Sequence, residues 1–260
     1  MFRKSHRPNR LPEGARGYRA YVVGDIHGRL DLLDDLLGKI HDDIDRSPAR
    51  KTVIVFVGDL IDRGPDSAGV IERLRNYDRP GVRAVFLLGN HEEVMLRILA
   101  GDGSLIPQWL QFGGAQCLAS YGLDVVDLAM TNEAEALGAI RSAIPERHSR
   151  FLHDFADSFR FGDYLVVHAG IRPGIALDQQ LQSDLRWIRQ PFLNDRRDHG
   201  FVVVHGHSIT DKVDERANRI GIDTGAYASG RLTALAIDGA DRWVLDTAIS
   251  ASSCVTGTAP

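Results

Sequence analysis

Three times in the first hundred residues, an apolar run ends in a polar loop bounded by glycine, and apolar residues at helical spacing follow. The first run is Tyr18 to Val23. It ends in Gly24-Asp25-Ile26-His27-Gly28, and Leu30, Leu33, Leu36, Leu37 and Ile40 then recur every three or four positions. The second run is Thr52 to Val57, its loop Gly58 to Gly64, and its helix is marked by Val70, Ile71, Leu74 and Tyr77. The third is Val82 to Leu88, followed by Gly89-Asn90-His91-Glu92 and then Val94, Met95, Ile98 and Leu99. Tandem strand–loop–helix units predict an α/β fold with parallel strands, because each parallel pair needs a crossover of this kind. Ligands of such sheets bind beyond the carboxyl ends of the strands. All three loops lie at that edge, so they can converge although about thirty residues separate them in sequence.

The middle of the chain changes character. From about 104 to 159 few β-branched runs occur, and three stretches read as helical: Leu105 to Tyr121, interrupted at Gly113-Gly114, then Asn132 to Ile144, then Pro145 to Phe159. This is expected to be a helical insertion over or beside the site. Strand character returns at Tyr164 to Val167, which leads to His168-Ala169-Gly170, and at Phe201 to Val204, which leads to His205-Gly206-His207. Arg219 to Ile222, Leu232 to Ile237 and Trp243 to Asp246 read as a β region with short turns, Asp238-Gly239 forming a hairpin turn. One domain over 18–249 is expected, between a basic flexible tail at 1–17 and a frayed end at 250–260.

Aspartate, asparagine and histidine at strand ends are metal-ligand types, and a mixed oxygen and nitrogen set suits manganese, iron, zinc or cobalt better than calcium. Each has an ordinary alternative. An aspartate after a strand often caps the next helix. Asn90 could hold a left-handed turn, and His168, His205 and His207 could be buried packing residues. Recurrence argues against coincidence: five strand ends carry such residues, each beside a glycine that lets backbone approach an ion or anion.

This set of loops resembles the calcineurin-like metallophosphoesterases, and within them the phosphoprotein phosphatase branch with its bacterial and phage-type members and symmetrical diadenosine tetraphosphatases. The resemblance implies two facing mixed β-sheets flanked by helices. It implies that Asp25 and His27 ligate one divalent ion, that Asp59 bridges it to a second, and that Asn90, His168 and His207 complete the ligand set of that second ion. His91 is implied as the general acid, held by Asp62, and Arg63 as a phosphate ligand. A second phosphate arginine is expected after the insertion. Arg189 is the choice, since it follows the tryptophan in Asp184-Leu185-Arg186-Trp187-Ile188-Arg189, with Arg186 as the alternative. His205 is placed behind the ligands or on the substrate side.

The chemistry fits those roles. A pair of divalent ions held by two carboxylates keeps a net positive charge that attracts a phosphate dianion, and the ions can supply a bridging hydroxide for in-line attack. The Arg63 guanidinium offers a planar fork for phosphate. The departing alkoxide needs a proton, which His91 can give while Asp62 favours its charged form. No nucleophile elbow or P-loop is present. The expected activity is metal-dependent hydrolysis of phosphomonoesters, foremost phosphoserine and phosphothreonine in proteins, with manganese the expected metal. The alternatives are a symmetrical bis(5'-nucleosyl)-tetraphosphate hydrolase and a catalytically silent binding scaffold. Trp109, Phe112 and Trp187 could stack on a nucleobase or pack as core or lid.

Composition narrows the partners. With 260 residues, 43% hydrophobic, 25% charged and a net charge of −4, the chain lacks the basic balance of a nucleic-acid binder. No apolar run reaches the roughly twenty residues of a membrane span. The basic N-terminal residues lack the apolar centre of a signal peptide, so a cytoplasmic location is expected. Cys117 and Cys254 form no disulfide framework or metal motif. Oligomeric state has no sequence signal.

Overall fold

The computed structural model describes residues 11–47 and 51–248. Among the described residues, ten strands form two five-stranded sheets. The first sheet holds β1 (Tyr18–Val23), β2 (Lys51–Phe56), β3 (Val82–Phe86), β9 (Thr233–Asp238) and β10 (Asp241–Asp246), in the order β10-β9-β1-β2-β3. β1, β2 and β3 are parallel, as the tandem units require, while β9 runs antiparallel to β1 and β10 antiparallel to β9. The second sheet holds β4 (Ser158–Phe161), β5 (Tyr164–Val167), β6 (Val202–His205), β7 (Asp214–Glu215) and β8 (Arg219–Gly221), in the order β4-β5-β6-β8-β7. Its centre, β5, β6 and β8, is parallel.

Side-chain alternation decides what each face meets. Ala20, Val22, Val53 and Val55 turn toward the second sheet and pack on Tyr164, Val166, Val202, Val204 and Ile220. The residues between them, Tyr21, Val23, Ile54 and Phe56, turn the other way into a helical layer. Small residues thus fill the gap between the sheets and larger ones meet the helices. Strands buried on both faces read as continuous apolar runs, which is why β1 and β2 stand out in the sequence.

The helical layer begins with α1 (Leu30–Arg46), α2 (Ser67–Arg75) and α3 (Asn90–Ala100). In α1 the buried positions are Leu33, Leu36, Leu37 and Ile40, the helical stripe expected from the sequence. The insertion contributes α4 (Ile106–Trp109), a π-type turn at Leu110–Gly114, α5 (Ala115–Ser120), α6 (Val125–Ala129), α7 (Glu133–Ala143) and α8 (Glu146–His153). Later come α9 (Gln182–Trp187) and the short α10 (Ala226–Ser229). No described helix is long and apolar enough to cross a membrane.

Three expectations need correction. The helix read over 145–159 ends at His153, and Ser158–Phe161 is instead a strand paired antiparallel with β5. Gly162-Asp163 supplies the two-residue turn, with Gly162 at φ 62°. The late β region is not one unit: β8 enters the second sheet, whereas the β9–β10 hairpin crosses to the first. The expected flexible tail does not extend to residue 17. The Gly14 amide donates to Gly239 O (2.8 Å) and the Asp163 amide to Glu13 O (2.8 Å). Residues 1–10 and 250–260 of the two expected tails lie outside the described residues.

Candidate metal centre and active site

Loops after β1, β2, β3, β5 and β6 meet at one edge, and hydrogen bonds between them set their spacing. The amides of Ile26 and His27 donate to Asp59 O (3.0 and 2.9 Å), that of Gly28 to Leu60 O (2.8 Å), and that of Gly206 to His168 O (2.8 Å). The His207 amide donates to Asp25 Oδ2 (2.9 Å) and the His91 amide to Asp59 Oδ1 (3.1 Å). Among the described residues, the non-glycine residues with left-handed φ are His27 (47°), Asp59 (49°), Asp62 (73°), Arg63 (67°) and His207 (63°). All five are residues singled out in the sequence. Such backbone costs on the order of 1–3 kcal/mol each and persists where its surroundings over-determine it. Gly206 shows how tight the assembly is: a Cβ there would sit 1.9 Å from Asp25 Oδ1.

Asp59 is the shared member of two ligand-type groups. His27, Asp59 and His91 each bring a ligand atom within 4.8 Å of the others, and so do Asp59, His168 and His207. All are buried. Asp25 belongs to neither group; its Oδ2 takes the His207 amide, while its buried Oδ1 has no hydrogen-bond partner. Asn90 Oδ1 lies 3.0 Å from His168 Nε2. His27 directs Nδ1 at Ile61 O (2.7 Å) and His168 directs Nδ1 at Val57 O (3.0 Å). Those bonds fix the Nδ1–H tautomer and leave each Nε2 lone pair facing the centre, as a metal ligand requires. The Nε2 of His207 is buried without a partner.

Electrostatics points the same way. Burial lowers His27 to about 3, with His91 and Arg63 adding to the effect. Burial and the neighbouring His168 lower His207 to about 3. Both rings are therefore neutral at pH 7, the form that binds a cation. Burial also raises the Asp25 carboxyl, and Asp223 and Asp59 raise it further. Asp59 goes the other way: burial opposes ionisation, but His168, His91 and His27 hold it well below the usual carboxylate range. Buried carboxylates crowded among imidazoles are the donor set a divalent cation would suit, so the residues present fit such ions.

On the substrate side, Asp62 Oδ2 receives His91 Nδ1 at 2.5 Å. Burial would lower His91, yet Asp59 and then the bond to Asp62 outweigh it and raise the imidazole. Arg63 reaches His27 Nε2 (2.9 Å) and His91 Nε2 (3.1 Å), with its guanidinium carbon 4.9 Å from the centre of the Tyr227 ring. Arg189 shares a cavity of about 370 Å³ with Asp59, Arg63, Asn90, His91 and His207. Arg186 is instead tied to Asp157 (2.6 Å) and Glu93 (3.3 Å). Phe112 and Trp187 stand on the cavity wall, 56% and 42% exposed. Trp109 is buried, and its indole N–H donates to Asp62. His205 packs against Phe192, and its Nδ1 bonds Gly206 O (2.9 Å).

The structure adds residues the sequence reading passed over. Glu92, in the first turn of α3, is fully buried and accepts the amides of Asp59, Leu60, Ile61 and Gly89 at 2.8–3.3 Å. It braces the two central loops together. Asp223 is a further buried carboxylate in the cluster. Its setting, Gly221-Ile222-Asp223-Thr224-Gly225 after β8, repeats the glycine-flanked strand-end pattern and could have been found by it.

Residues 18–243 match the family described as Calcineurin-like phosphoesterase. The chain belongs to the calcineurin-like phosphoesterases, in their phosphoprotein phosphatase branch, and is a hydrolase. The family implies divalent metal ions, and the His and Asp groups above are candidate ligands. The chain is 31% identical to serine/threonine-protein phosphatase 1 of Salmonella typhimurium over 231 residues, covering 84% of this chain and 92% of that protein. It is 38% identical to a symmetrical bis(5'-nucleosyl)-tetraphosphatase of a Janthinobacterium species over 262 residues, covering 83% and 91%. Its fold matches a crystal structure assigned provisionally to a diadenosine tetraphosphatase, with a TM-score of 0.62 and 23% identity over 94% of this chain and 97% of that one.

Proposed function

We propose that this hydrolase removes phosphate from phosphoserine and phosphothreonine in proteins, using two divalent ions held around Asp59. The observation that carries the reading is the sharing of Asp59 by the two ligand-type groups, one of which contains His91, whose ring is bonded to Asp62. Asp25, His27 and Asp59 would hold one ion, and Asp59, Asn90, His168 and His207 the other. When bound, such a pair supplies Lewis acidity at the phosphoryl oxygens and acidifies the attacking water. The mixed donor set suits manganese first, with iron, zinc or cobalt as substitutes.

The chain's own residues do the rest. Arg63 and Arg189 hold the phosphoryl oxygens; both line the cavity. Arg63 brings a planar fork held against Tyr227. Asp62 keeps the His91 ring oriented through Nδ1, which leaves Nε2 to pass a proton to the departing serine or threonine oxygen. Asp59 and His91 are buried yet line the cavity, at the place where the phosphoryl group would sit.

A second reading keeps this chemistry but places a dinucleoside polyphosphate in the site. It is favoured by the cavity wall beyond His91, where Val94, Leu105, Phe112 and Trp187 offer apolar and aromatic surface to a nucleobase. Turnover of a phosphoserine peptide and of diadenosine tetraphosphate by the same metal-loaded preparation separates the two. The first reading predicts the higher kcat/KM for the peptide. A clear preference for the dinucleotide would overturn it in favour of the second.

A further inference from the structure

The Asp62 carboxylate is fully buried, and one of its oxygens receives two donors. Oδ2 takes His91 Nδ1 at 2.5 Å and Trp109 Nε1 at 2.9 Å, while Oδ1 has no hydrogen-bond partner. With His91 alone on Oδ2, the carboxylate could swing about its own axis and carry the imidazole with it. A second donor on the same oxygen removes that freedom. The indole itself cannot drift: Trp109 is 2% exposed, and a Cβ on Gly114 would lie 2.5 Å from its Cδ2.

The same stretch of chain grips the neighbouring residue. Gly113 O accepts the Arg63 amide at 3.1 Å, and Gly113 reaches that position with φ 110°, where a Cβ would sit 2.5 Å from Arg63 N. Residues 109–113 therefore hold the Asp62 side chain and the Arg63 backbone at once, and both residues have left-handed φ. The break in the helix, which interrupts an otherwise helical pattern, is what lets Trp109 and Gly113 face the loop together.

We infer that Trp109 is a positioning residue for proton donation: its N–H fixes Asp62, which in turn fixes His91. This rests on the reading of His91 as the proton donor. Trp109→Phe keeps a buried ring and deletes the N–H. Its turnover of phenyl phosphate and p-nitrophenyl phosphate is measured beside wild type, His91→Asn and the double variant, with metal content and thermal midpoint checked for each. Proton donation matters most for the poorer leaving group, phenolate. The inference predicts that Trp109→Phe loses about tenfold in kcat on phenyl phosphate, loses much less on p-nitrophenyl phosphate, and keeps its KM. It also predicts that the double variant is no slower than His91→Asn alone, because both changes act through one chain of contacts. Equal losses on the two esters, or multiplied losses in the double variant, overturn it.

Should Trp109→Phe fold poorly, 3-benzothienylalanine at position 109 alone replaces the N–H by sulfur at nearly constant shape. Wild-type turnover of phenyl phosphate by that protein also overturns the inference. If His91→Asn shows no leaving-group dependence, the proton-donor reading falls and the Trp109 inference with it. If His91→Asn shows that dependence and Trp109→Phe does not, only the Trp109 inference falls.

Discussion

Asp59 and Trp109 end at the same cavity but reach it by different routes. Asp59 sits where a parallel strand stops, in a loop that accepts hydrogen bonds from neighbouring backbone amides and is braced by Glu92. Trp109 arrives from an insertion of short helices broken by a π-type turn, and it touches the strand-end loops through an indole N–H and a glycine carbonyl. The first region stores its precision in backbone, with left-handed residues that the surroundings hold in place. The second region holds side chains against a site that is already formed. Chemistry should therefore be most fragile toward changes in the strand-end loops, and less so at Trp109, while substrate choice should be adjustable through exposed positions of the insertion such as Phe112.

The largest expected effect belongs to the strand-end region. Asp59→Asn should abolish phosphoester turnover, because a neutral amide bridges two cations poorly. Near-normal rates in that variant would dissolve the contrast between the regions. His91→Asn should bind metal normally and lose about 10²–10⁴ in rate, with the smaller loss on esters whose leaving group is already acidic. Glu92→Gln should follow. The side-chain amide would place an NH2 among the four backbone N–H groups that Glu92 now accepts. A lower thermal midpoint, corresponding to a cost of about 1–3 kcal/mol, is the readout.

In the insertion, Phe112→Ala should leave p-nitrophenyl phosphate hydrolysis nearly unchanged while raising KM for the larger natural-type substrate. An equal effect on the small ester would mean that the insertion serves chemistry at this position too. The smallest effect concerns acid stability at His205, which burial lowers from 6.5 to about 4. Below pH 6.5 the unfolded chain takes up a proton there that the folded chain refuses, so stability complete above that pH declines toward pH 4. A plot of thermal midpoint against pH should be flatter for His205→Gln across this window.

The same contrast governs what the sequence discloses. Strand ends are legible because topology puts successive βα loops on one edge, so Asp25, His27, Asp59 and Asn90 could be grouped before any coordinates. Asp223 carries the same glycine-flanked signature. Glu92 could not be read this way: its partners include amides 31–33 residues away, and locally it resembles any acid opening a helix. Trp109 reaches Asp62 across 47 residues, and no periodicity encodes that contact. The helical stretch read over 145–159 runs into β4, but pairing with β5 across the Gly162-Asp163 turn overrides it. Arg186 lies in α9 and Arg189 just beyond its end, close enough in sequence to compete; Arg186 pairs with Asp157 and Glu93, whereas Arg189 lines the cavity.

The central claim is that Asp59 joins two ion sites. It is tested most directly by counting bound divalent metal per chain, by elemental analysis, in wild-type protein and in Asp59→Asn after both are equilibrated with manganese and freed of excess. The account predicts two ions per wild-type chain and a clear deficit in the variant. Two ions retained by Asp59→Asn, or full activity in a wild-type chain holding one or none, would contradict it.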